Sequence, residues 1–130
     1  MNDAITRLRA AKEKQASGFY AAGQALGRRW VEKHAEPIEL KRIGEIRDEQ
    51  RRRGQWESWF ESEESVWTPG ESLHHMIMGG EEIYGSPDPC ESAEFWEFVG
   101  ATSEERCDSK FVLGFADVAA DFWDTIKNEI

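Results

Sequence analysis

Residues 111–130 place Phe111, Phe115, Val118, Ala119, Phe122, Ile126 and Ile130 three or four positions apart. That is the repeat of one helix face, and it excludes the period-two alternation of a half-buried strand. The stripe predicts a helix over 111–130 whose apolar side is the keel of the core. Asp117, Asp121, Asp124, Lys127 and Asn128 fall on the other side and are expected to face water. A chain built round such an element reads as all-α, a single compact domain of four to six helices spanning 1–130.

The length supports that reading. A domain of 130 residues buries roughly two-thirds of the surface its unfolded chain exposes. Six Trp, seven Phe and two Tyr each bring about 150–250 Å² to a core, so neither a disulfide nor a metal is needed to hold it. Cys90 and Cys107 stand alone, without a CxxC or a Cys/His cluster, and read as reduced thiols rather than a disulfide pair. The first residues, MNDAITRLRAAKEK, carry charge where a signal peptide carries an apolar run, and no stretch of about 18 apolar residues occurs. These features point to a cytoplasmic protein.

Taken in order, residues 3–34 predict one long helix with Ile5, Leu8, Phe19, Ala22, Leu26 and Trp30 on a stripe. Lys12 and Gln15 interrupt that stripe, so residues 1–17 are expected to project as an arm that a second copy covers in a homodimer. Gly18, Gly23 and Gly27 each cost about 1 kcal/mol relative to Ala inside a helix. Gly23 and Gly27, four apart, predict close approach of another helix, with 111–130 the natural partner. Tyr20-x-x-Gly23 is echoed by Phe111-x-x-Gly114, as two helices with matching packing demands would require. Pro37 breaks the first helix and starts a second, expected over 37–52 with Arg47 facing water and Arg51–Gly54 closing it. Trp56, Trp59, Phe60 and Trp67 follow on one side of the next segment. Thr68–Gly70 is read as a turn, and a short hairpin inside 70–89 is the one exception allowed to the all-α reading. Asp88-Pro89 predicts a helix start, Gly100 its end, and Thr102-x-x-Glu105 a capping box opening the last helix.

Chemical signatures are sparse. Glu71-x-x-His74-His75, with Glu81 and Glu82 nearby, is a partial metal motif. A carboxylate-bridged pair of metals needs the Glu-x-x-His arrangement twice, and a catalytic zinc needs two His at helical spacing. The expectation is therefore no metal and no cofactor, with a small metalloenzyme at Glu71, His74 and His75 as an alternative. Neither a nucleophile elbow nor a phosphate-binding glycine loop occurs, so the chain is expected to be non-enzymatic.

Charge carries the functional expectation. Residues 1–54 hold 13 Lys/Arg against 8 Asp/Glu, whereas residues 55–130 hold 3 against 18: balances of +5 and −15. The basic half, with Arg7, Arg9, Lys12, Lys14, Arg28, Arg29 and Arg51–Arg53, supplies a nucleic-acid alternative, which the acidic remainder opposes. A single-sign surface steers partners of opposite sign. The expected activity is that of an acidic binding protein docking a basic protein, in the manner of inhibitors, immunity proteins or DNA mimics. The expected surface comprises Glu57, Glu61, Glu63, Glu64, Glu81, Glu82, Glu94 and Glu97, with Trp56, Trp59 and Trp67 as apolar anchors.

Overall fold

Ten consecutive residues, Phe111 to Ala120, are buried, so the last helix is sheathed on every side for nearly three turns instead of on one face. The computed structural model describes residues 3–61, 67–79 and 89–129, the side chains of 12–17, 89 and 90 excepted. Its elements are α1 (Asp3–Lys33), α2 (Pro37–Arg52), a single 3₁₀ turn (Trp56–Ser58), α3 (Pro69–Ile77), α4 (Pro89–Val99), α5 (Ser103–Arg106) and α6 (Ser109–Ile126). No strand occurs among the described residues. The all-α expectation holds. Within 70–89, residues up to Ile77 are helical, and 80–88 lie outside the described residues, as does the Asp88 cap.

Glycine sets how closely α1 and α6 cross. A Cβ on Gly23 would collide with the carbonyl of Phe111, and one on Gly27 would sit 2.9 Å from the carbonyl oxygen of Phe115. Gly114 returns the contact against the carbonyl of Tyr20. The echo between Tyr20-x-x-Gly23 and Phe111-x-x-Gly114 is therefore reciprocal packing: each glycine seats the backbone that begins the other motif. Such backbone proximity offsets the helix-propensity cost of the glycines through dense van der Waals contact. On another side of α6, Gly44 of α2 leaves room for the ring of Trp123.

An aromatic cluster fills the space beside this crossing. Trp96 of α4 is fully buried, its ring centroid 5.0 Å from that of Phe115 and 6.3 Å from that of Phe111. Trp30 of α1 lies 5.3 Å from Phe115 and 5.9 Å, edge-on, from Phe95. The Trp96 indole N–H donates to the Gly70 carbonyl at 2.9 Å, which satisfies its one polar atom inside the core.

Local signals fix most of the helix ends. Pro37 occupies the first turn of α2, where the Glu36 N–H donates to the Glu39 carboxylate at 2.8 Å. Gly54, at φ 68°, turns the chain after α2, and Gly100, at φ 96°, does so after α4; both lie in the left-handed region that favours glycine. Three expectations are corrected. Thr68 to Gly70 is not a free turn: Thr68 caps α3 and Pro69 is its first residue, the arrangement proline tolerates best. The Thr102/Glu105 capping box is present, but it opens the four-residue α5; α6 has its own cap in Asp108, which accepts from the Phe111 N–H at 2.9 Å. Among the described residues after Gly54, 55–61 hold a single 3₁₀ turn, which directs Trp56 and Phe60 inward and leaves Trp59 38% exposed.

α1 is 31 residues long, about 46 Å at 1.5 Å per residue, against about 27 Å for the 18 residues of α6 by the same rise. Residues 3–11 are exposed throughout, with Ile5 at 55% and Leu8 at 54%.

Two glycine substitutions on the same helix are expected to act in opposite directions. Gly23→Ala forces α1 and α6 apart and lowers stability by about 1–3 kcal/mol or more, as overpacking does. Gly18 has nothing within 4 Å of an added Cβ, so Gly18→Ala raises stability by about 0.5–1 kcal/mol through helix propensity. Thermal melting of the two variants beside the parent measures both.

Candidate partner-binding surface

The charged groups divide into an internal network and an exposed set. Arg47 of α2, expected at the surface, is 1% exposed. Its Nη1 donates to the Asp121 carboxylate at 2.7 Å and to the Asp117 carbonyl at 3.0 Å, and its Nη2 donates to Asp124 at 2.9 Å. Asp117, also expected to face water, is 9% exposed. One of its carboxylate oxygens accepts from the Trp56 indole N–H at 2.7 Å, with Arg47 Nη1 3.5 Å away. The other accepts from the Tyr20 hydroxyl at 2.6 Å. Arg51 stands 3.9 Å from the first oxygen.

Both expectations fail for one reason. Asp117, Asp121 and Asp124 are spaced 4 and 3 apart on α6 and so form a ladder on one helix face. α2 lies across that face with Arg47 inserted between the rungs. Burial opposes the guanidinium's charge, but the hydrogen bond and charge of Asp121, with Asp117 and Asp124, outweigh it and hold its pKa above the ordinary value. Among the described residues, Arg47 Nε and Gln50 Oε1 are buried without a hydrogen-bond partner. They are a donor and an acceptor one helical turn apart.

The same network removes Trp56 from the expected anchors. At 2% exposure, edge-on to Phe60 at 5.7 Å and bonded to Asp117, its ring is core and offers no face to a partner. Trp59 remains partly exposed between Glu57 and Glu61, both exposed. Glu61 pairs with Lys110 at 2.8 Å. Trp67 is half-buried, edge-on to His75 at 5.1 Å. Glu94 and Glu97 are exposed on α4 beside Phe98, itself 66% exposed. Glu63, Glu64, Glu81 and Glu82 lie outside the described residues. The described and exposed part of the expected surface therefore lies on two elements, Glu57, Trp59 and Glu61 at and just after the 3₁₀ turn and Glu94, Glu97 and Phe98 on α4, each group with an exposed aromatic in it.

The partial metal motif takes a different form. His74 is buried with its ring 5.1 Å from Phe95, and His75 sits against Trp67. Among the described residues no three His, Cys, Asp or Glu side chains are grouped as metal ligands. On the basic half, Arg53 pairs with Glu49 at 2.9 Å and Arg52 Nε donates to the Asp48 carbonyl at 3.3 Å. These contacts lie in the last turns of α2, where cations complement the helix dipole. Arg28 and Arg29 are exposed, and Cys107 is an exposed free thiol. No helix among the described residues is long and apolar enough to cross a membrane. Compared with family models, with characterised proteins and with solved structures, the chain has no match.

Sequence reading missed the Arg47–Asp117 network, and one signal pointed to it. Asp117 is the only charged residue between Phe111 and Ala120, and a lone carboxylate in an apolar run three turns long has to find a buried cation or donors.

Asp117→Ala strands the Tyr20 hydroxyl and the Trp56 indole N–H and removes one of the carboxylates facing Arg47. Its expected cost is about 3–5 kcal/mol, the range for breaking a buried charged contact, read by chemical denaturation. A pH effect follows from Tyr20. Burial first, then the hydrogen bond to Asp117, push its phenol up to about 12 from 10.0. The folded state thus disfavours the phenolate. The resulting stability is complete below pH 10 and is lost as pH rises toward 12. Unfolding measured across that window declines in the parent, and the decline is smaller in Tyr20→Phe.

Proposed function

We propose that this chain is a non-enzymatic binding protein that docks a basic protein partner through its acidic second half. The observation that carries the reading is the division of charge along the chain, +5 in residues 1–54 against −15 in residues 55–130. The fold sharpens which carboxylates can serve. Asp117, Asp121 and Asp124 are turned to Arg47, so among the described residues of the expected surface the carboxylates not shared with Arg47 are Glu57, Glu61, Glu94 and Glu97. Glu57 and Glu61 flank a partly exposed tryptophan. A ring of charge around an aromatic suits steering followed by anchoring: exposed carboxylates accelerate encounter, and a desolvated ring prolongs the complex.

The test sets a panel of basic proteins against duplex DNA at low and moderate salt. Retention of a basic protein, weakening as salt rises, supports the reading. Preferential retention of duplex DNA overturns it in favour of the basic half. Two tryptophan variants are expected to separate the roles. Trp56→Ala loses about 3–5 kcal/mol of folding stability, as core Trp truncations do. Trp59→Ala keeps its melting temperature and speeds dissociation from the retained protein, with about 2 kcal/mol of binding lost if the ring is a hot spot. A Trp59→Ala variant that binds as the parent does removes this ring as an anchor.

A further inference from the structure

We infer that the exposed start of α1 is a docking element for a second copy of this chain, and that it seats on the outer face of α4 at Glu94, Glu97 and Phe98. The inference stands apart from the proposed partner, because it concerns the chain with itself. The two surfaces match in chemistry. The arm presents Ile5 and Leu8, each more than half exposed, beside exposed Arg7 and Arg9. The face of α4 presents Phe98, 66% exposed, beside exposed Glu94 and Glu97. An apolar pair with cations meets an apolar ring with carboxylates, the complementarity that fixes register and favours encounter.

Geometry excludes the chain's own arm as the occupant, so an arm of this chain can reach the face only from another copy. Phe98 packs on His34 at 4.6 Å, immediately past the carboxy-terminal end of α1. Ile5 and Leu8 stand at its amino-terminal end. α1 is one uninterrupted helix from Asp3 to Lys33, so from Leu8 to Lys33 its axis runs about 38 Å. A continuous helix cannot bring its own first turns back to its last. In a pair with antiparallel α1 helices, each arm reaches the other's α4, and both arms are covered by one closed two-fold arrangement. A stable interface buries roughly 1,200–2,000 Å² in all, and a two-fold pair divides that area between two equivalent arm–face contacts.

The purified 130-residue chain tests this by light scattering at micromolar concentration across a salt series. A dimer that loosens as salt rises is expected; a monomer at low salt overturns the inference. Leu8→Glu and Phe98→Glu, made separately, are each expected to weaken the dimer about thirtyfold or more, as loss of a hot spot does, while Leu8→Glu, at an exposed position, keeps the helical circular-dichroism spectrum of the parent. A dimer indifferent to Leu8→Glu overturns the proposed contact, and this arm variant decides the matter even if Phe98→Glu perturbs the fold. Charge exchange gives an independent reading. Arg7→Glu/Arg9→Glu chains and Glu94→Lys/Glu97→Lys chains should each pair poorly alone. Mixed, they should recover both arm–face contacts with matched sign, one native and one reversed, so mixed dimers outnumber either self-pair; mixtures that assemble no better than the separate chains overturn the pairing. Basic proteins enter none of these measurements, so failure here and failure of the proposed function are told apart.

Discussion

The carboxylate of Asp117 is the point at which the helices are tied together. It accepts hydrogen bonds from Tyr20 of α1 and Trp56 of the 3₁₀ turn, and it stands within ion-pair distance of Arg47 and Arg51 of α2. A carboxylate buried in an apolar helix is expensive unless its lone pairs are filled. Filling them requires three other segments to arrive in one geometry. The hydrophobic stripe of α6 can be buried in several ways, because burial is not directional. The hydrogen bonds at Asp117 are directional, and they select one arrangement of α1, α2 and the 3₁₀ turn.

The glycine crossing provides the second constraint, and it depends on the first. Gly23, Gly27 and Gly114 bring the α1 and α6 backbones together, which is what lets the Tyr20 hydroxyl span to Asp117 at 2.6 Å. A wider crossing would leave the phenol short of the carboxylate and the carboxylate short of a donor. Steric fit and polar satisfaction therefore act at adjacent turns of the same pair of helices. The aromatic cluster of Trp30, Phe95, Trp96 and Phe115 packs beside that crossing, where the Trp96 indole has its own carbonyl acceptor.

The repeating features of this chain were legible in its sequence and the singular ones were not. Helix periodicity located α1, α2 and α6, and the proline and glycine punctuation located the bounds of α2 and the end of α4, because each signal is local. The meeting of Gly23 and Gly27 with α6 was readable since two glycines one turn apart in a helix need a reason. Arg47 and Asp117 were assigned to water because a charge on a helix face is usually solvated, which holds for Asp121 and Asp124, exposed even while they pair with Arg47. Their pairing lies between residues 70 or more positions apart, beyond any periodicity. For the candidate surface, exposure of Glu57, Glu61, Glu94 and Glu97 followed from residue type. The fate of Trp56 did not: sequence spacing treats it as equivalent to Trp59, and only the buried carboxylate beside it tells the two rings apart.

The internal network also changes what the net charge means. A formal −10 suggests a uniformly acidic body, yet three carboxylates of α6 converge on one buried guanidinium, which reduces the field they project outward. Among the described residues, exposed carboxylates that stand apart from this network include Glu57 and Glu61 at the 3₁₀ turn and Glu94 and Glu97 on α4. The opposing positive field is weighted toward the exposed start of α1, at Arg7 and Arg9, and the exposed arginines that follow Gln50. Exposed charges lose influence beyond about 10 Å at 0.1 M salt, so such a molecule is felt by an approaching partner as separate patches and not as its net charge. Glu94 and Glu97 cannot serve a basic partner and the arm of a second copy at once. In a dimer of the kind inferred above, Glu57 and Trp59 at the 3₁₀ turn stay uncovered, so the two proposed uses of the acidic half would compete on α4 and not at the 3₁₀ turn.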